Sequence, residues 1–218
     1  KLSVDAMTSG KMHYGRVGYE ATINGMGSRL GASYSDLIYE LGKEYKALDA
    51  EGKAQQASIW LNQPVLLSNR SEVLLNAQYD YKQLEDDIGV ANVYRHRDVH
   101  VGRLSVQAAQ YDNFAGGGLN QLNISNDFGQ VKYQNAAAKK ADQATAQTQG
   151  SFYRAHLNLS RLQNLGLSAT QLYTGIQAQY SPDNLDSSEQ FSMGGAYTVA
   201  GYQNSVLSGS SGYYAVAE

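Results

Sequence analysis

Ser71-Glu72-Val73-Leu74-Leu75-Asn76-Ala77-Gln78-Tyr79-Asp80-Tyr81-Lys82-Gln83-Leu84 alternates almost without a break. Val73, Leu75, Ala77, Tyr79 and Tyr81 fall on one face of an extended chain; Glu72, Leu74, Asn76, Gln78, Asp80 and Lys82 fall on the other. Successive side chains of a strand point to opposite sides, so a period of two marks a strand with one apolar face. Residues 152–160 repeat the design, with Tyr153, Ala155, Leu157 and Leu159 opposing Arg154, His156, Asn158 and Ser160. In 14–23, Gly15, Val17, Tyr19, Ala21 and Ile23 oppose Tyr14, Arg16, Gly18, Glu20 and Thr22. In 54–62, Ala57, Ile59 and Leu61 oppose Gln56, Ser58, Trp60 and Asn62, and 104–108, 122–125 and 172–180 are weaker versions. Helical periodicity is nearly absent. Residues 136–149 are rich in Ala, Lys and Gln, which allows a weak helix, but they carry no apolar stripe, so a solvated loop is the better reading. The pattern predicts an all-β chain of about ten strands.

Composition narrows the class. The 218 residues carry 17 Lys+Arg against 20 Asp+Glu, a net charge of −3, which does not suit a protein gripping nucleic acid through its overall field. There are no cysteines, which excludes disulfides, thiolate metal sites and cysteine nucleophiles. No apolar run is long enough for a transmembrane helix. Tyr 17 far exceeds Phe 4, and tyrosine suits positions that are half apolar and half wet, such as a membrane interface. A mean hydropathy of −0.45 is polar for a helical membrane protein. A transmembrane barrel, however, hides its apolar residues at every second position. The abrupt start at Lys1 within a polar, strand-like stretch is expected of a mature fragment.

The connections alternate in length. Turns are predicted near 24–28, 64–70, 112–118 and 163–166, with longer polar segments at 42–53, 85–98, 128–150 and 181–212 between them. In an up-and-down antiparallel meander every second connection lies on the same side. One side is therefore economical and the other elaborated, the asymmetry of an outer-membrane barrel.

Catalytic and metal-binding patterns do not form. His13, His96, His100 and His156 are scattered, and His96 and His100 flank Arg97 and Asp98 in a charged passage expected to be a solvated surface. Glu85, Asp86 and Asp87 lack the alternating oxygen spacing of a calcium loop. Gly116, Gly117 and Gly118 lack a strand-to-helix context and read as a flexible turn. Neither an enzyme nor a cofactor or metal site is expected.

From Asp186 to Tyr202 the chain reads Asp-Ser-Ser-Glu-Gln-Phe-Ser-Met-Gly-Gly-Ala-Tyr-Thr-Val-Ala-Gly-Tyr. This resembles the lid-loop signature of two-partner secretion transporters, the haemolysin-activator and filamentous-haemagglutinin exporter family (TpsB). Its pattern is roughly Ser-Ser-Glu-Lys-Phe-x-Leu-Gly-Gly-x-x-x-Val-Arg-Gly/Ala-Tyr. Supporting passages follow the same order: Tyr39-Glu40-Leu41-Gly42, Leu48 to Ala54, Pro64 with Arg70, Tyr79 to Lys82 with Asp86, the 112–118 turn, and Arg161 to Leu165. The motif positions are Glu189, Phe191, Gly194, Gly195, Val199, Ala200, Gly201 and Tyr202. Ala200 stands where the family has its signature arginine, and Ala196 where proline is common. In the family that arginine lies inside the barrel and pairs with an acidic residue of the inner wall. Alanine cannot make a charge-assisted bond, so the loop needs another anchor, and Glu189 is the residue expected to hold its base.

The resemblance implies an antiparallel, up-and-down transmembrane β-barrel of sixteen strands, preceded by two POTRA domains and a plug helix. Residues 1–218 are then expected to be an incomplete barrel domain without the POTRA domains and last strands. Residues 181–212 would be a loop folded back into the lumen, with Phe191, Met193, Val199 and Tyr202 packed against the wall. The implied function is secretion of a large partner exoprotein across the bacterial outer membrane, by a monomeric barrel set in lipid, with no nucleic-acid partner. Asp80, Lys82, Arg154, His156 and Asn158 are the candidate lumen-facing residues. A general porin-like channel and a soluble adhesin or lectin domain are the rival readings.

Overall fold

The computed structural model describes residues 1–40, 50–88, 93–166, 170–194 and 206–218. The strands are β1 (Leu2–Ser9), β2 (Met12–Thr22), β3 (Arg29–Glu40), β4 (Ala50–Leu67), β5 (Ser71–Ile88) and β6 (Val93–Asp112). They continue with β7 (Gly118–Tyr133), β8 (Gly150–Asn164), β9 (Gln171–Tyr180), β10 (Phe191–Met193), β11 (Leu207–Gly209) and β12 (Gly212–Ala217). One α-helix, α1 (Ala136–Ala144), lies between β7 and β8, and a short 3-10 segment (Phe114–Gly116) between β6 and β7, among the described residues.

Ten strands make one sheet in the order β1-β2-β3-β4-β5-β6-β7-β8-β9-β12, with β1 and β12 at its two ends. From β1 to β9 consecutive strands are neighbours, as an up-and-down meander requires, and β12 then pairs with β9. The register is antiparallel in β2–β3, where Val17 faces Tyr34, and in β8–β9, where Asn158 faces Gln177. By contact density the chain divides into two compact units. One comprises Lys1–Leu61, Ala77–Gly102 and Phe128–Ser151; the other comprises Asn62–Asn76, Arg103–Asp127 and Phe152–Glu218.

The alternation appears in space with its sense inverted relative to a soluble protein. On β5 the apolar face is the open one, with Leu75 43 % and Tyr79 46 % exposed, whereas Asp80 is only 3 % exposed. The same holds elsewhere: Val4, Val17, Ile59, Leu104, Ile124, Leu159 and Ile176 are exposed, while Arg97, Ser105, Ser125, Asp127, Arg154 and Gln179 are buried. Among the described residues the buried apolar side chains are Val99, Val101, Val131, Ala138, Phe152 and Leu185. In water this arrangement loses twice. Each exposed large aliphatic forgoes roughly 1.5–3 kcal/mol of burial, and each buried charge must be desolvated. Against lipid the first cost changes sign, which is why such faces belong to a barrel wall.

Three expectations are corrected. Residues 136–149 are not all loop, because α1 forms there. The Asn135 side chain caps it by accepting from the Ala138 N–H at 2.7 Å, and Asp142 closes the following turn by accepting from the Thr148 and Gln149 N–H groups at 2.9–3.0 Å. Caps and a buried carboxylate replace the missing apolar stripe. Secondly, Pro64 lies inside β4, and the turn is confined to 68–70, where the Ser68 hydroxyl accepts from the Ser71 N–H at 2.9 Å. Thirdly, β5 runs on to Ile88 and β6 starts at Val93, so most of the polar stretch 85–98 is strand. His96 and His100 therefore sit on β6: His96 pairs with Asp87 at 3.1 Å, and His100 bonds the Tyr79 hydroxyl at 2.7 Å and stacks on Tyr81.

Trp60 is a bulky aromatic assigned to the polar face by alternation, and a glycine makes room for it. A Cβ on Gly31 would overlap the Trp60 indole, whose N–H donates to the Glu20 carboxylate at 2.8 Å.

Candidate functional site

Strands β6, β7 and β8 bring three charged side chains together within the second unit. Arg103 donates to both oxygens of Asp127 at 2.8 and 2.9 Å, a bidentate fork. Arg154 donates to Asp127 from Nε at 3.1 Å and from Nη2 at 2.5 Å. Asp127 is wholly buried and Arg154 nearly so. His156, two residues along the same face of β8, lies 3.8 Å from the Asp127 carboxylate.

The fourth member comes from the connection after β9. Asp186 starts a turn in which its carbonyl accepts from the Glu189 N–H at 2.8 Å and its carboxylate from the Ser188 N–H at 3.0 Å. That turn delivers the Glu189 carboxylate to Arg154 Nη1 at 2.9 Å. The same Nη1 donates to the Glu189 main-chain carbonyl at 2.6 Å, and Gln179 Nε2 on β9 donates to that carbonyl at 3.2 Å. Glu189 is 1 % exposed. Two guanidinium groups and two carboxylates thus balance in charge, with Asp127, Arg154 and Glu189 buried and Arg103 partly open, and that pairing offsets the cost of desolvating the three buried charges.

Further bonds fasten the loop base. The Leu185 N–H donates to the Ser210 hydroxyl at 3.0 Å, the Ser181 N–H to the Ser211 hydroxyl at 2.9 Å, and the Tyr153 N–H to Asp183 at 2.9 Å. Beyond the base, β10 and β11 pair with each other, Phe191 opposite Gly209 and Met193 opposite Leu207. The motif segment therefore begins as a small hairpin of its own. Phe191 and Met193 are half-buried, and Phe191 packs so close to Gly212 that a Cβ there would stand 2.7 Å from its ring. Gly194 ends the strand at φ 119°, a conformation that suits glycine. Gly195, Val199, Ala200, Gly201 and Tyr202 lie outside the described residues.

Of the candidate lumen residues, Asp80 and Arg154 are buried and His156 is half-buried beside Asp127. Asp80 accepts from Gln78 at 2.8 and 3.0 Å, Lys82 is half-buried, and Asn158 faces an open groove. Arg154, His156 and Glu189 meet; Asp80, Lys82 and Asn158 take no part in their cluster. Asp127 and Arg103 were not singled out by the sequence reading, which ended the strand at Ser125. Their signal was parity: Asp127 continues the odd-numbered face of Gln121, Asn123 and Ser125, and Arg103 that of Arg97, Val99 and Val101.

The family model of the haemolysin secretion/activation protein ShlB/FhaC/HecB matches residues 16–216. The chain belongs to that family. Its members are outer-membrane β-barrel transporters, and the inverted faces described above are those of such a barrel. The heme/hemopexin transporter protein HuxB of Haemophilus influenzae is 24 % identical over 215 residues, which cover 98 % of this chain and 38 % of HuxB. The chain thus spans less than two-fifths of the length of the curated relatives it matches. Among solved structures, CdiB from Escherichia coli has a TM-score of 0.73 at 17 % identity, covering 94 % of this chain and 38 % of CdiB. CdiB from Acinetobacter baumannii has a TM-score of 0.65 at 21 % identity, covering 94 % and 35 %. At those identities the likeness establishes the barrel fold.

Proposed function

We propose that this chain supplies part of the wall, and the lid loop, of an outer-membrane transporter that secretes a large partner exoprotein. Family membership and the lipid-suited outer face support that reading. The observation that carries it is the grip of buried Arg154 on Glu189, at the base of the segment with the lid-loop motif. The family pattern implies a loop cation held by a wall acid. Here the wall supplies the cation and the loop supplies the acid, which answers the loss of the arginine at Ala200.

The reading includes a larger, monomeric barrel that encloses the 181–212 loop and meets outer-membrane lipid along its apolar face. Transport needs no catalytic group. Folding of the emerging exoprotein draws it forward, and the chain's task is to hold a polar path and to keep it closed at rest. Breaking Glu189 away from Arg154 would leave a buried carboxylate without its partner, which is costly. The closed loop therefore persists until the exoprotein displaces it.

Deleting residues 187–202 in the full transporter tests this. The expected result is a folded, membrane-inserted barrel that no longer secretes the exoprotein. Normal secretion from the deletion would overturn the assignment.

A further inference from the structure

A groove of about 400 Å³ in the second unit differs in chemistry from the ion cluster. Its polar lining comes from Gln107 on β6, Gln121 and Asn123 on β7, Asn158 and Ser160 on β8, and Tyr173 on β9, with Glu72 its one charged residue. These amides are spread over three adjacent strands. They are also unspent. Gln107, Asn123 and Asn158 make no side-chain hydrogen bond among the described residues, and Gln121 only accepts from the Ser160 hydroxyl at 3.5 Å. Elsewhere on the sheltered face the side chains bond one another, as in Asn76 to Asn62 at 2.8 Å and throughout the Arg154 cluster.

An amide side chain offers a donor and an acceptor side by side, as a peptide group does. It can therefore pair with main chain of any sequence. A guanidinium or carboxylate at the same place would retain oppositely charged segments and repel like ones. Adjacent strands stand about 4.8 Å apart, so the amides on β6, β7 and β8 offer donor–acceptor pairs at successive points along a chain that crosses the strands.

Resting on the transport reading above, we propose that this groove is a main-chain track. It binds extended, unfolded polypeptide through peptide groups and is indifferent to the side chains that pass.

The test places the photo-cross-linker p-benzoylphenylalanine at Gln121 or Asn158 of the full transporter, with Leu104 and Leu159 on the outer face as controls. Adducts with the exoprotein are expected from Gln121 and Asn158 and not from the controls. Replacing Gln107, Gln121 and Asn158 together by leucine should lower secretion about tenfold through loss of several hydrogen bonds, with the heat-modifiable folded barrel retained. Secretion that proceeds without adducts at Gln121 and Asn158, or unchanged by the triple replacement, would overturn the track and leave the transport reading standing. Adducts only to the transporter's own chain would likewise overturn it. Absence of secretion from the unmodified transporter would overturn both.

Discussion

Arg154 holds Glu189 twice, once through its carboxylate at 2.9 Å and once through its main-chain carbonyl at 2.6 Å. One guanidinium thereby fixes both the side chain and the backbone of the loop base, while its other nitrogens hold Asp127 on β7. A side-chain contact alone would let the loop pivot about Glu189; the second bond removes that freedom.

The two partners should not be equivalent. Arg154→Gln leaves Asp127 and Glu189 buried with one guanidinium fewer, a loss of about 3–5 kcal/mol for breaking a buried pair. Glu189→Gln keeps the main-chain bond and leaves Arg154 paired with Asp127, so it should cost less. The temperature at which the full transporter loses its folded gel mobility checks the order. A larger fall for Glu189→Gln would contradict it.

The loop between β7 and β8 carries a pH dependence. Burial pushes the Asp142 carboxyl up, but the Thr148 N–H and hydroxyl, the Gln149 N–H and the Tyr133 hydroxyl together hold it below the usual carboxylate range. A depressed folded value means that the stabilisation is complete above the unfolded value of about 3.9. It is lost as pH falls through the folded value. Exchange rates at Thr148 and Gln149, taken relative to an unfolded chain at the same pH, should therefore be low at neutral pH and rise only below about pH 4. Asp142→Asn should raise them at neutral pH and abolish their pH dependence in the acid range.

Much of this architecture is legible in the sequence, and the exceptions share a cause. The alternation of residues 71–84 and the positions of the 24–28 and 112–118 turns follow from local chemistry, because period two and turn residues act within a few positions. Pro64 and α1 do not. Pro64 is tolerated within β4, with its carbonyl accepting from the Gln63 amide at 2.7 Å. The α1 helix depends on a carboxylate six residues before the N–H it satisfies. Asp127 shows the same limit: its partners Arg103 and Arg154 stand 24 and 27 residues away, and only the sheet brings them together.

The close fit at Gly31 predicts a steric cost on the sheltered face. Gly31→Ala places a methyl group against the Trp60 indole and should destabilise the barrel by about 1–3 kcal/mol, the usual range for overpacking. Trp60→Phe in the same background should recover part of that loss. An equal loss with and without Trp60 would remove the explanation.

Lipid on the outer face can be tested at Leu104, 59 % exposed on β6. Leu104→Lys should cost about 2–4 kcal/mol if the residue lies near the bilayer centre. The fraction of folded, heat-modifiable transporter in outer-membrane preparations should fall accordingly. A soluble β-domain would tolerate the lysine, so an unchanged folded fraction would speak for that rival.

The central claim is that the Arg154–Glu189 grip serves secretion and not stability alone. The measurement is exoprotein recovered outside the cell, divided by the amount of folded transporter, for Glu189→Gln beside the unsubstituted protein. The account predicts a fall of about fivefold or more in that ratio, as expected from removing one charge of a buried ion pair. An unchanged ratio would contradict it.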